Sequence, residues 1–350
     1  MTTNLLTSKD YRQLCYWLLF LCLMVFIIVI IGGITRLTHS GLSMVDWKPL
    51  MGVIPPLSES DWLISFEKYK QFPEYQKLNF GMSLSEYKSI FFWEYFHRIF
   101  ARLIGVFFLL PYLYFLIRKK IPHGFHFKFL LAFLLGGSQG VLGWYMVKSG
   151  LVNDPSVSHF RLAAHLCLAV VIFGYLFSLA LRLWPQNTTT YQKVFFHKNK
   201  VLWLLKMIIG VLFLQITYGA FTAGLKAGFG YNTFPKMNNE WIPTTVFQLN
   251  PTWINFFSNG ATVQFIHRSL GWCLLALILF YWGYVKKLEI SKKHSTASNL
   301  LITIVALQFV LGVSTLLLVV PLHLAVIHQA GAIILFAATL YNHFVFKYYS

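Results

Sequence analysis

Charge is absent from this chain over stretches too long for an ordinary soluble helix. Residues 14–34 make 21 consecutive uncharged positions and residues 162–181 make 20. About 20 apolar residues suffice to cross a hydrocarbon core. The same pattern predicts eight spans, at 14–35, 98–117, 128–147, 162–183, 201–222, 265–285, 299–320 and 324–346. Lipid offers no water to the backbone, so each must be helical. The expected fold class is an all-α integral membrane protein of eight transmembrane helices. Composition agrees, with 57% of the 350 residues hydrophobic and only 11% charged, against about 25% charged in soluble proteins.

A net charge of +18 invites a nucleic-acid reading, which its distribution removes. Arg118, Lys119, Lys120 and Lys128 lie between the second and third spans. Arg182, Lys193, Lys198 and Lys200 lie between the fourth and fifth, and Lys286, Lys287, Lys292 and Lys293 between the sixth and seventh. The alternate connections are poor in base. This positive-inside pattern places both termini in the cytoplasm. The first outer connection, residues 36–97, holds seven of the eleven acidic residues and is no nucleic-acid surface. The first span is too long for a signal-peptide core and has no small-residue cleavage site after it. Met1–Asp10 lacks the Arg-rich, acid-free character of a mitochondrial presequence. A bacterial inner-membrane protein is expected, its basic face toward anionic lipid. Cys15, Cys22, Cys167 and Cys273 all fall within spans and read as small apolar fillers, not as disulfides or zinc ligands.

The polar residues inside the spans recur. His97 is followed by Arg98 and His267 by Arg268, while His165 and His328 each lie one to two turns into a later span. Gly32-Gly33-Ile34-Thr35 has its counterpart in Gly219-Ala220-Phe221-Thr222, and Gln139…Gly143 in Gln308…Gly312. Spans one to four thus match five to eight in order and direction. That predicts two tandem four-helix bundles, residues 1–190 and 191–350, as a parallel repeat about an axis along the membrane normal. All four histidines lie near the outer ends of even-numbered spans. In each half, two imidazoles from parallel helices could face each other across a flat macrocycle, as axial ligands of a haem iron. The competing reading of each histidine is a hydrogen-bonded packing residue. His159 and His323 also match but sit at the interface. His123, His126, His197 and His294 fall in cytoplasmic connections and read as solvated.

Glu94 breaks the symmetry. It lies three residues before His97, so both share a helix face, whereas the matching position before His267 is Gln264. A protein that only moves electrons needs no acid there, while an enzyme removing protons does. The alternative is an i,i+4 ion pair with Arg98. Arg98 and Arg268 also suit the carboxylates of a haem, since a guanidinium fork matches that geometry.

These runs resemble the haem A synthase family of the cytochrome oxidase assembly pathway, over nearly the whole chain. The resemblance is carried by Gly32 to Met44, Glu94-Tyr-Phe-His97-Arg98, Phe160 to His165, Phe265-Ile-His267-Arg268 and His328-Gln329. Asp46-Trp47-Lys48-Pro49 in the long first outer connection is similar to the proteobacterial and mitochondrial branch. The resemblance implies oxidation of the C8 methyl group of haem O to a formyl group, with water as oxygen source. It implies haem b bound by His267 and His328, and substrate haem between His97 and His165 with Glu94 as catalytic carboxylate. It also implies haem O synthase and an electron acceptor such as a quinone as partners, and is compatible with a homo-oligomer. Some members carry a cysteine pair in the first outer loop; this chain has none there. Two other classes share parts of the pattern. A di-haem b-type electron-transfer cytochrome would explain four histidines but not Glu94 against Gln264. A transporter of haem or another small molecule would explain the repeat but calls for broken helices near the midplane.

Overall fold

The computed structural model describes residues 6–45, 53–152, 155–184 and 197–349. The Asp46 to Pro49 run and Lys193 lie outside them. Among the described residues, eight helices are long and apolar enough to cross a membrane: α1 (Ser8–Leu37), α4 (Leu84–Ile117), α5 (His126–Lys148), α6 (His159–Leu183), α7 (Lys198–Gly224), α9 (Gly260–Lys286), α10 (Lys292–Leu317) and α11 (Leu322–Tyr348). Shorter helices α2 (Glu59–Tyr69), α3 (Pro73–Lys77) and α8 (Asn255–Ser258) lie in the connections. The expected fold class holds: the chain is an all-α multi-pass membrane protein.

Two compact units divide the chain, one of Leu23–Ala169 and one of Met1–Cys22 with Val170–Ser350. In the latter, α7, α9, α10 and α11 pack on one another. Its core is apolar: Leu205, Ile208, Leu212, Ile278, Leu301 and Val345 are buried. One polar knot interrupts it, where buried Asn342 accepts from the Tyr281 hydroxyl at 3.0 Å and donates to the Ala297 carbonyl at 3.0 Å. Cys15 and Cys22 point their thiols at the carbonyls of Ala180 and Phe173. They are buried, Cys273 is exposed, and none of the four cysteines forms a disulfide.

Helix ends differ from the hydrophobic runs. The second span was expected from residue 98, yet α4 begins at Leu84. Ser83 caps it, accepting from the Glu86 N–H at 3.3 Å while Glu86 accepts from the Ser83 N–H at 2.8 Å. This reciprocal cap satisfies free backbone donors at the helix start. At 34 residues and ~1.5 Å per residue, α4 is about 51 Å long, well beyond a hydrocarbon core of ~30 Å. The 36–97 connection is therefore partly helical. Its α2 and α3 pack on the start of α4 through buried Phe66, Tyr69, Tyr87 and Phe91. The seventh span, expected to reach 320, ends at Leu317, because Val319 and Val320 take positive φ of 60° and 57° and turn the chain. His294, read from sequence as solvated, is buried in the first turn of α10 against Phe346, with Nδ1 bonded to Ser291 at 2.7 Å. His123, His126 and His197 are exposed.

Candidate functional site

Each of the four repeated histidines rests on a glycine of the preceding long helix. A Cβ built on Gly32 of α1 would lie 3.3 Å from Nε2 of His97 on α4. On Gly143 of α5 it would lie 3.0 Å from Cε1 of His165 on α6. In the other unit, a Cβ on Gly219 of α7 would stand 3.1 Å from Cε1 of His267 on α9, and on Gly312 of α10 2.8 Å from Cε1 of His328 on α11. Only a residue without a side chain lets an imidazole lie this close to the neighbouring backbone. The two glutamines match as well. Gln139 Nε2 donates to the His165 carbonyl at 3.0 Å, and Gln308 Nε2 to the His328 carbonyl at 2.8 Å. Each tethers the helix turn carrying the histidine.

Within each unit the two imidazoles are close enough to interact electrostatically, His97 with His165 and His267 with His328. The Nδ1 atoms of His165, His267 and His328 are buried without a hydrogen-bond partner. Buried polar atoms are almost always satisfied, so a purely structural role for these rings is poorly supported. Among the described residues, no group of three or more His, Cys, Asp or Glu could hold a bare metal ion. Paired neutral imidazoles without a third protein ligand are the donor set that suits haem iron, whose equatorial nitrogens come from the macrocycle. His159 packs at a tilt against Phe160, and His323 is exposed, so neither joins these pairs.

Glu94 is buried but not open to a substrate on every side. Its Oε2 accepts from the Ser43 hydroxyl and the Met44 N–H, each at 2.7 Å, and its Oε1 from Arg98 at 2.6 Å. Arg98 also donates to the Met44 carbonyl at 3.0 Å. Both groups therefore hold the segment that follows α1. Gln264 and Arg268 do the same for the segment after α7. Gln264 Nε2 donates to the carbonyls of Ala227 and Gly230 at 3.0 and 2.7 Å. Arg268 donates to the carbonyls of Tyr231, Thr233 and Lys236. The exchange of Glu for Gln follows the polarity of the groups met: the Ser43 hydroxyl and Met44 N–H donate to Glu94, whereas Gln264 meets the carbonyls of Ala227 and Gly230. The ion pair and the backbone contacts thus use guanidinium N–H groups expected to face a haem carboxylate, although Arg268 Nε stays buried and unpartnered.

Sequence reasoning did not find these tethers. The glycines and glutamines were visible as repeat members but gave no sign of touching histidine, and Ser43 and Met44 lay unremarked in the Gly32–Met44 run. Glu74 was also missed. It is 4% exposed on α3, accepts from the Tyr69 hydroxyl at 3.0 Å, and Tyr69 in turn accepts from Asn79 at 2.7 Å. Burial pushes its carboxyl up to about 7, the Tyr69 hydrogen bond opposes this, and the nearby charge of Glu94 adds to the rise.

The sequence is similar to those of known proteins. The family described as cytochrome oxidase assembly protein, COX15-CtaA, matches residues 15–340. A protein of Nitrosospira multiformis named "Heme A synthase" is 47% identical over 95% of this chain and 93% of its own length. Proteins of the same name from Nitrosomonas eutropha and Flavobacterium psychrophilum are 45% and 44% identical, each over 95% of this chain and over 94% and 98% of their own lengths. With the family matched across all eight spans and such identities over nearly full length, this chain belongs to the cytochrome oxidase assembly protein family COX15-CtaA.

Proposed function

We propose that this protein is a haem A synthase, a membrane oxidoreductase that converts the C8 methyl group of haem O to a formyl group. The observation that carries the reading is the duplicated seat: two buried histidine pairs, each ring against a glycine, in a chain of this family. Methyl, with water, becomes formyl by release of electrons and protons in equal number, so the protein must conduct both away. The N-terminal half, 1–190, takes the substrate haem between His97 and His165. In the C-terminal half, 191–350, His267 and His328 would hold haem b, which when bound supplies an electron-accepting centre. Gln139 and Gln308 fix the turns that carry His165 and His328. Arg98 and Arg268 hold the outer segments over the sites, and the free Nε–H of Arg268 remains as a donor for a haem carboxylate. Glu94, three residues before His97, receives protons from the substrate edge and passes them toward the outer face.

The chain sits in the bacterial inner membrane with both termini cytoplasmic, a reading supported by its alternating basic connections. Haem O synthase supplies its substrate, and an electron acceptor such as a quinone takes its electrons. Production of haem A in a host lacking its own synthase tests the reading. Because Glu94 also clamps Ser43 and Met44, Ser43→Ala serves as the control for Glu94→Gln. Loss of haem A in Glu94→Gln, with most of it kept in Ser43→Ala and haem b kept in both, supports a proton-accepting Glu94. Equal losses in both variants would reduce Glu94 to a clamp. No haem A from the wild type, with two firmly bound b haems, would instead make the protein a di-haem cytochrome.

A further inference from the structure

The two histidine sites differ on one side, between the second and third helices of each half. His97 corresponds to His267 and Gln139 to Gln308, so Arg102 corresponds to Trp272 and Gly140 to Phe309. On α9 and α10 the aromatic rings of Trp272 and Phe309 meet with centroids 4.7 Å apart. Phe234 stacks on Trp272 at 5.7 Å and touches Phe309 at 6.0 Å. Its place is set by Arg268, which holds the carbonyls of Thr233 and Lys236 on either side of it. Three rings therefore pack across the outer side of the α9–α10 seam, with Trp272 still 47% exposed, at the level of a residue five positions, or about 7.5 Å, along α9 from His267.

Among the described residues, the other half shows no such cluster of rings at this level. Arg102 is not aromatic, and a Cβ built on Gly136, Gly137 or Gly140 would meet nothing within 4 Å. Gly136, Gly140 and Gly143 share one face of α5 by their spacing, and Gly143 is the residue against which His165 rests. Farther along the seam, α4 and α5 do close, through Phe108 on Phe133 at 5.8 Å and Tyr112 on Phe129 at 6.4 Å.

Haem O and haem b share one macrocycle and differ in a long apolar isoprenoid chain. We infer that Trp272 and Phe309 are specificity-determining residues: they bar a prenylated haem from the His267–His328 site, while the chain of haem O leaves the other site beside Gly140. The inference rests on the assignment of the two halves proposed above. It explains how two sites with the same ligands and seats can hold different haems.

The test uses full-length protein purified from cells that make both haem O and haem b, with bound haems extracted and separated by chromatography. The double variant Trp272→Ala, Phe309→Gly should raise the ratio of haem O to haem b in the firmly bound pool about tenfold or more, the scale on which apolar pockets discriminate a misfit group. Independently, Gly140→Phe should cut haem A formation by a similar factor while haem b content stays at the wild-type level. An unchanged haem ratio in the first variant, or wild-type haem A in the second, overturns the inference. If opening the seam costs the first variant all its haem, Gly140→Phe decides alone. Wild-type protein that makes no haem A would count against the proposed function, whereas the bound-haem ratio still reads the ring cluster without turnover.

Discussion

At the scale of single residues, the histidines are the proposed haem ligands, and the glycines decide where those rings can sit. Alanine is normally better than glycine inside a helix by about 1 kcal/mol, so Gly312→Ala ought to stabilise α10 locally. Its Cβ would instead fall 2.8 Å from Cε1 of His328. We expect Gly312→Ala to lower the haem b content of purified protein, seen as a smaller low-spin absorption band. Gly143→Ala, aimed at His165, should lower haem A formation and leave that band intact. Glu74 makes a second residue-scale prediction. Its carboxyl is raised from the ordinary 4.5 to about 7, so the folded outer segment favours the protonated form. The stabilising contribution is complete below about 4.5 and is lost as pH rises through about 7. Glu74→Gln should flatten that dependence. Hydrogen exchange of residues 59–91 between these pH values measures it, and an equal slope in both proteins would count against a buried, protonated Glu74.

At the scale of elements, the long apolar runs located the eight helices able to cross a membrane among the described residues, but the helix ends came from contacts that no run reveals. Glu86, Lys88 and Glu94 interrupt the apolar pattern, which is why α4 was expected to start at residue 98. Its real start depends on the Ser83–Glu86 cap and on the aromatic cluster of α2 and α3. Ser83→Ala should cost about 1 kcal/mol, the usual worth of an N-cap, confined to the α2–α4 segment. Faster hydrogen exchange there, with unchanged exchange in α9–α11, is the expected result. The Arg268 tether acts on a connection instead of a helix. Arg268→Lys keeps the charge but not the several N–H groups that reach three carbonyls, so Phe234 should lose its fixed place over Trp272.

At the scale of the whole molecule, the spans and the alternating basic connections make one topological prediction. A fluorescent protein fused after Ser350 should fold and fluoresce, and alkaline phosphatase fused there should be inactive, because the first folds in the cytoplasm and the second outside it. The reverse result would invert the orientation and put the histidine pairs near the cytoplasmic face. The site chemistry survives such an inversion; the source of substrate and the exit for protons do not.

The number of spans, the all-α class and the four repeated histidines were decided by the sequence itself. Lipid leaves a backbone no alternative to the helix, and a polar residue in such a run has few reasons to be there. The repeated Gly, Gln and His-Arg positions were equally legible as a pattern. Tertiary structure alone decided what those positions touch. A glycine seat, the donors that meet Glu94, the carbonyls that meet Gln264, and the rings that pack across the α9–α10 seam all depend on residues distant in the chain coming within a few ångströms. Glu94 shows the physical reason. Helix periodicity put it on the same face as His97, but the direction of its carboxylate was settled by the hydrogen-bond donors of Ser43 and Met44 and by Arg98, and no spacing rule could have supplied the first two.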